Sequence, residues 1–307
     1  MPCGRTGNLQ AHFLLVILCT SMLLFAGCSP RIEWNAPRGD FREMIDTSSN
    51  AEQFSFLVVS DIHFGRMNAG VYWETDTFLK WLDAYQAEHP LAFAVNLGDS
   101  TSNSEESEYL QFADFTRILS DTSIPLYSVL GNHDVRGQGR SYYRAYINES
   151  TTRRFSYGGI SFYCLDSGNL SLGKEQLQNL NDAVRTDPNP KIFLSHVPFY
   201  GAPQMVYFAL GDPYERAQLV QMMQQNKVGL VLSAHLHLLD HLHRFTSQAA
   251  EFVCGSFHGR DDVLETTVPT WYVCTYAPDT HTLSIIRYTV DRVHQVSGGE
   301  VAAIPLP

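Results

Sequence analysis

Short apolar runs alternate with longer amphipathic segments over the first half of the chain. Apolar, β-branched runs at residues 54–60, 91–97 and 125–130 predict strands, whereas residues 74–88 and 105–119 carry apolar side chains at helical spacing. A strand–helix–strand–helix–strand order is typical of a largely parallel sheet that is covered by helices. The pattern therefore places an α/β unit from about residue 53 onward.

The pattern changes in the second half, where strands outnumber helices. Gly158 and Gly159 separate two strand-like runs and predict a hairpin. We expect an α/β fold, a two-layer mixed β-sandwich flanked by helices, in one domain over residues 53–307. The remaining predicted elements are strands at 153–157, 160–165, 191–195, 228–233, 240–246, 251–254, 271–275 and 282–288, and helices at 173–185 and 214–225.

The first residues have the pattern of an export signal. An apolar run at residues 13–25 is too short to span a bilayer comfortably, and Ala26-Gly27-Cys28 follows it, as in a bacterial lipobox. We expect a signal peptide at 1–27, a lipid on Cys28 and a polar tether at 28–52. The chain would then be an exported lipoprotein on the periplasmic or outer-membrane side of the envelope. An ordinary secretory signal with a chance cysteine is the alternative.

Composition narrows the classes of partner. The chain is 44% hydrophobic and 17% charged, which favours a packed core over disorder. A formal net charge of -11 argues against a nucleic-acid polymer as partner, because phosphate backbones are bound by Lys and Arg. A small phosphorylated substrate is still compatible with this negative charge, since bound metal ions supply local positive charge. Cys164, Cys254 and Cys274 lie in apolar runs and are interpreted as buried thiols, with one disulfide left open.

Residues whose side chains could bind metal ions lie directly after five of the apolar strands. Because the carboxyl ends of strands in α/β sheets gather ligand-binding residues, motifs far apart in sequence can meet there. Imidazole and carboxylate groups are suitable ligands for manganese, iron or zinc, and none of the five motifs contains a cysteine. Two ions roughly 3.5–4 Å apart can activate a water and stabilise charge on a phosphoryl group. The motifs are Asp61-Ile62-His63, Gly98-Asp99, Gly131-Asn132-His133-Asp134, His196 and His235-Leu236-His237.

This ordered series resembles the calcineurin-like metallophosphoesterase superfamily over roughly residues 54–245. The resemblance implies a dinuclear-metal phosphoesterase, in which a metal-bridging hydroxide attacks a phosphomonoester or phosphodiester. It also implies that His133 stabilises the transition state or protonates the leaving oxygen, and that Asp134 orients His133. By the same resemblance, Asp61, His63 and His237 would hold one ion, Asn132, His196 and His235 a second, and Asp99 would bridge them.

Two other functions remain open from the sequence. A surface-exposed binding lipoprotein would keep the fold without useful catalysis, although none of the family's ligands is missing here. A metal-capturing lipoprotein is suggested by the further histidines His241 and His243, which we interpret as a half-exposed strand face. His258 is a candidate for the cleft wall. Ala234 replaces the family's usual glycine before His235, which predicts a slight shift of the ligands.

Several residues near the motifs have two interpretations. Arg136 and Arg140 follow Asn132-His133 and could bind a phosphate oxygen, but we favour a solvated loop for both. The aromatic and apolar residues in the long loop after His196 could contact an apolar leaving group, and ordinary packing explains them equally well. These loop residues are Tyr200, Met205, Tyr207 and Phe208.

Overall fold

The computed structural model describes residues 37, 39–41, 44–46, 52–66, 73–202, 207–237, 240–258, 268–291 and 293–307. The predicted signal peptide at 1–27, the lipid site at Cys28 and most of the predicted tether lie outside the described residues, as does Met205. No helix that the structure describes is long and apolar enough to cross a bilayer.

Helices and strands alternate first and strands dominate later, as predicted. In chain order the elements are β1 Met44–Asp46, β2 Phe54–Val59, α1 Trp73–Glu88, β3 Phe93–Asn96, α2 Glu106–Asp121, β4 Leu126–Ser128, α3 Gly139–Tyr146, β5 Arg153–Tyr157, β6 Ile160–Cys164, α4 Gly173–Thr186, β7 Lys191–Leu194, α5 Pro213–Gln225, β8 Val228–Ser233, β9 His241–Arg244, β10 Ala250–Val253, β11 Thr270–Ala277, β12 Thr282–Val290 and β13 Val296–Pro305.

Among the described residues, the strands form two mixed sheets. One sheet has the order β13-β12-β11-β2-β3-β4, and the other has the order β1-β5-β6-β7-β8-β10-β9. Strands β2, β3 and β4 are parallel, as are β6, β7, β8 and β10, so the carboxyl ends of each set lie at one edge of its sheet. The predicted fold class, a mixed β-sandwich flanked by helices, is confirmed.

The core lies between the two sheets. Phe56 on β2 and Phe93 on β3 both contact Phe162 on β6, with ring centroids 5.5 and 5.3 Å apart. All three side chains are buried, and aromatic pairs at such distances add packing energy beyond the burial of their area. The contacts fix one sheet against the other and therefore set how the strand ends of both sheets meet.

The predicted hairpin is present, and its turn explains the glycine pair. Strands β5 and β6 pair antiparallel around Gly158 and Gly159, whose φ angles are 56° and 78°. Positive φ at both central residues is the geometry of a tight hairpin turn, and it favours glycine. At Gly158 a side chain would also collide with the ring of Phe54.

Three elements were not predicted, and each lacks a periodic apolar pattern. Strand β13 contains Gly298 and Gly299 and is mostly exposed, because it lies at the edge of its sheet. Helix α3 is only 8 residues long. Strand β1 lies inside the predicted tether but pairs in parallel with β5, and Phe41 just before it is 1% exposed. Part of the tether region is thus packed on the folded unit.

The Arg140 side chain corrects the expectation of a solvated loop. It is fully buried in α3, and its Nε and Nη2 donate to the two carboxylate oxygens of Asp166 at 3.0 and 2.8 Å. Nη1 donates to Asn169 Oδ1 at 3.3 Å. A buried guanidinium with this bidentate partner ties α3 to the loop after β6 and is not available for a substrate phosphate.

Replacing Asp166 with Asn should therefore destabilise the protein strongly. The change removes the charge that offsets buried Arg140, and breaking such a pair typically costs about 3–5 kcal/mol. The matched control is Asp121→Asn, which breaks the exposed pair with Arg117 and should cost less than about 1 kcal/mol. Urea denaturation measures both free energies of unfolding, and equal losses in the two variants would contradict this interpretation.

Candidate metal centre

The backbone at the strand ends has an unusual conformation. Of the seven predicted ligands, all of which the structure describes, five have positive φ angles that residues with a side chain rarely adopt. Each such residue costs about 1–3 kcal/mol and persists only where its surroundings enforce it, and such strain is concentrated at functional sites. These five are Asp61 at 53°, His63 at 55°, Asp99 at 50°, His235 at 74° and His237 at 50°.

Hydrogen bonds between neighbouring strand ends hold this backbone. Asp61 N donates to Gly98 O at 2.9 Å, and His63 N donates to Asp99 O at 3.0 Å. Gly98 has a φ of 97°, and a side chain there would lie 2.7 Å from the backbone nitrogen of Gly131. The loops after β2, β3 and β4 are thus packed so closely that a glycine is required between them.

The loops of the second sheet reach the same place. Ala234 N donates to His196 O at 2.9 Å, which joins the ends of β7 and β8. His196 Nδ1 donates to Leu97 O at 2.9 Å, across to the end of β3 in the other sheet. This bond fixes the ring and leaves Nε2 to face the site. Ala234 is buried and has no positive φ, so its methyl group fits the turn, and the strained position is His235.

A first group of side chains consists of Asp61, His63, Asp99 and His237. One ligand atom from each lies within 4.8 Å of all the others. His237 Nε2 is 3.0 Å from Asp61 Oδ1 and 3.2 Å from His63 Nε2. Two imidazoles and two carboxylates with converging atoms form a donor set that suits a divalent metal ion.

A second group consists of Asp99, His196 and His235, again with ligand atoms within 4.8 Å of one another. His196 Nε2 lies 3.2 Å from Asp99 Oδ2. Asn132 Oδ1 lies 3.2 Å from the same His196 nitrogen, so the predicted amide ligand is adjacent to this group. The structure therefore brings all seven predicted ligands together.

Asp99 belongs to both groups, and its two oxygens differ in their contacts. Oδ1 accepts the His133 backbone N–H at 2.8 Å. Oδ2 lies 3.9 Å from His63 Nε2 on one side and 3.2 Å from His196 Nε2 on the other. One oxygen is thus anchored to the backbone while the other faces both groups.

A buried carboxylate oxygen also indicates that the first group of side chains fits a metal ion. Asp61 Oδ2 is buried and has no hydrogen-bond partner among the described residues. A buried, unpartnered carboxylate oxygen is costly in a folded protein, and coordination of a cation would remove that cost. The side chains of this group would therefore bind a divalent ion through Asp61, His63 and Asp99 together with His237.

Burial and neighbouring charges set the protonation of the histidines. Burial lowers the pKa of His63 to about 3 and that of His235 to about 4. Both rings are therefore neutral at pH 7 and can act as ligands. Burial also lowers the pKa of His196, but the carboxylate of Asp99 outweighs it and raises that pKa to about 9. Among these three, His196 is the ring that would have to lose a proton before it could bind a metal ion.

The hydrogen bonds of Asp134 correct its predicted role. Its Oδ1 accepts the N–H and the hydroxyl of Thr101 at 2.8 and 2.9 Å, and its Oδ2 accepts Gly131 N at 2.9 Å. These bonds tie the loop after β3 to the loop after β4 and leave His133 to a different partner. Burial, together with the charge of Asp99, raises the pKa of Asp134 to about 7.

The His133 ring is oriented by a backbone carbonyl. Nδ1 donates to Ser102 O at 2.7 Å, and the ring lies edge to face against His63 with centroids 4.8 Å apart. The exposed guanidinium of Arg136 donates to Ser102 O at 3.1 Å and lies 3.2 Å from His133 Nε2. Arg136 is therefore beside the site, held by the same carbonyl that orients His133.

Glu251 was missed by the sequence analysis. It is fully buried on β10, where it accepts backbone N–H groups of Phe199, Tyr200 and Gly201 and the hydroxyl of Ser233. It thereby fixes the loop that follows His196. A charged residue inside the apolar run at 249–254 was the signal that could have revealed it.

The remaining candidates lie outside the two groups. His241 and His243 are half-buried on β9, as expected for a strand face, and His243 stacks on Tyr200. His258 N donates to Asp61 O at 3.3 Å, which puts the backbone of this residue beside the first ligand group. Cys164, Cys254 and Cys274 are buried and unpaired, as their apolar surroundings predicted.

Comparisons with known proteins agree with this geometry. The family model of the calcineurin-like phosphoesterases matches residues 54–239. A purple acid phosphatase from yellow lupin (Lupinus luteus) seeds has a similar fold, with a TM-score of 0.59 and 14% identity over 78% of this chain. The chain spans about half of that protein, 52%. Plasmodium GAP50, described as the anchor in the inner membrane complex, has the same TM-score and identity over 83% of this chain and 88% of its own. No curated protein sequence matches.

The high pKa of His196 predicts that metal binding releases a proton. At pH 8 His196, with a pKa of about 9, is mostly protonated, whereas Asp134, with a pKa of about 7, is mostly ionised. Mn²⁺ binding to metal-free protein should then release about one proton, and affinity should rise as the pH approaches 9. Calorimetry in two buffers of different ionisation enthalpy measures the release.

The control is His196→Gln, which should bind Mn²⁺ more weakly and release almost no proton. Binding by the wild-type protein without proton release would contradict the assignment of His196 as a ring that is protonated in the metal-free protein and loses its proton when the metal binds.

Proposed function

The chain belongs to the calcineurin-like phosphoesterase family, and from that premise we propose that it is a dinuclear metal-dependent hydrolase of phosphomonoesters or phosphodiesters. The observation that carries the proposal is the sharing of Asp99 by two groups of ligands. Asp61, His63 and His237 would hold one ion, and Asn132, His196 and His235 the other. Manganese, iron and zinc all suit this oxygen and nitrogen donor set.

Such ions would supply positive charge for the phosphoryl oxygens and would lower the pKa of a water, so that hydroxide is available to attack phosphorus. The rest of the chemistry belongs to side chains of the chain itself. His133 keeps its proton on Nδ1 for Ser102 O, so its Nε2 faces the site and Arg136. In its protonated form this ring would stabilise the pentavalent transition state or give the leaving oxygen a proton from Nε2.

Arg136 would assist at the same phosphoryl group. Ser102 O holds one end of the guanidinium, which leaves further N–H donors free to bind a phosphoryl oxygen. Asp134 contributes by fixing the loops that carry Asp99 and His133, through Thr101 and Gly131. We therefore propose that Asp134 positions these two loops, in place of orienting His133 directly as the family resemblance implied.

The cellular setting is also a proposal. An export signal at 1–27 and a lipid on Cys28 would attach the domain to a membrane surface in the bacterial envelope. Substrates would then be small phosphoesters present outside the cytoplasm, and the acidic net charge of -11 disfavours nucleic-acid polymers.

The alternative is a non-catalytic binding protein with the same fold. GAP50 of Plasmodium has a similar fold and is described as an anchor, not as an enzyme. The fold alone therefore does not decide the function. What favours catalysis here is that both ligand groups, Asp99 between them and the oriented ring of His133 are all retained.

Two substitutions separate the loss of catalysis from the loss of bound metal. His133→Ala should leave metal content unchanged but lower turnover of p-nitrophenyl phosphate or its bis-ester by about 10²-fold or more, because it removes a proton donor and no ligand. Asp99→Asn should lose metal, since the amide can still accept the His133 N–H but lacks the anionic oxygen that faces both groups. Elemental analysis and steady-state rates give the two readouts.

His243→Ala is the control, because this ring lies on β9 outside both groups and should retain rate and metal content. A protein that binds metal but hydrolyses no phosphoester would overturn the enzyme proposal. Loss of most bound metal in His243→Ala would favour metal capture by the histidine cluster.

A further inference from the structure

Two aromatic side chains in the loop after His196 are exposed to solvent. Tyr207 is 93% exposed and Phe208 is 51% exposed, and together we call them the aromatic ledge. Ordinary packing therefore does not account for them, although the sequence left that explanation open. Because single exposed apolar residues are common on folded proteins, it is the location of these two side chains that indicates ligand binding.

The aromatic ledge lies directly beside the candidate metal centre. The ring centroid of Phe208 is 6.2 Å from that of His235, with the ring planes at 62°. His235 belongs to the second ligand group, with Asp99 and His196. A phosphoester bound at that group would carry its organic portion within reach of the Phe208 ring.

Hydrogen bonds hold the backbone beside the aromatic ledge. Leu210 is buried, and its N–H donates to Pro198 O at 2.9 Å, two residues after His196. Gly211 N donates to Leu170 O, also at 2.9 Å. Glu251 in turn fixes the backbone N–H groups that follow Pro198. The position of Phe208 is therefore tied to the loop that presents His196.

We propose that the aromatic ledge binds a flat aromatic group of the substrate, so that the enzyme prefers aryl or nucleobase-bearing phosphoesters over aliphatic ones. The inference rests on the proposed phosphoesterase function and adds a substrate class to it. Phe208 is the specificity-determining residue, because its ring faces the ligand group. Stacking needs no charge on the protein, which agrees with the acidic composition of the chain.

Binding of inert phosphonates tests the aromatic ledge apart from catalysis. Phenylphosphonate and methylphosphonate share one anionic group, differ in the aromatic ring and contain no ester bond to hydrolyse. The Mn²⁺-loaded protein should bind phenylphosphonate about tenfold more tightly than methylphosphonate in calorimetry. Phe208→Ala should reduce this preference to about twofold or less, with affinity for methylphosphonate unchanged.

Two further variants make the test specific. Phe208→Leu keeps an apolar side chain without a flat face and should lose most of the preference while folding normally. Tyr214→Ala, which removes an aromatic side chain that is 80% exposed at the start of α5, should keep the full tenfold preference.

Different results would overturn the role of the aromatic ledge and the proposed phosphoesterase function. If the wild-type protein hydrolyses p-nitrophenyl phosphate but binds the two phosphonates equally, or binds neither, the aromatic ledge does not recognise substrate and the inference is overturned. An unchanged preference in Phe208→Ala would also overturn it. Absence of hydrolysis of any phosphoester would instead refute the proposed function.

Discussion

The carboxylate of Asp99 is the constraint on which the site depends. Its Oδ1 is fixed by the backbone N–H of His133, and its Oδ2 lies between His63 and His196. A single carboxylate can face two groups in this way only if both sheets present their strand ends to it at short range. The aromatic contacts between the sheets, and the bond from His196 to Leu97 O, maintain that approach. The rigid core is therefore what positions the chemistry.

The fold holds strained residues at the site and supports them nearby. The candidate ligands with positive φ carry a cost in conformational free energy, and polar groups that are buried around them hold the backbone in place. Asp134 joins the loops after β3 and β4, while Glu251 fixes the loop after His196. Because each uses a carboxylate to satisfy several backbone N–H groups, neither could be replaced by an apolar residue without leaving those donors unpaired.

The candidate ligands could be located from the sequence because polar residues directly after apolar strands are a local signal, and the family resemblance singled them out among such residues. The structure brings these seven residues, from Asp61 to His237, together. Long-range partners have no such signal: Arg140 pairs with Asp166, and Asp134 bonds to Thr101, through contacts that depend on tertiary packing. Strand β13 was missed for a similar reason, since its pairing with β12 supplies the order that its Gly298-Gly299 pattern does not indicate.

The central claim is that Asp99 bridges two metal ions, and anomalous diffraction from Mn²⁺-loaded crystals tests it most directly. We expect two manganese peaks roughly 3.5–4 Å apart, both within bonding distance of the Asp99 carboxylate, one beside His63 and the other beside His196. A single fully occupied peak, or two peaks of which Asp99 contacts only one, would contradict the claim.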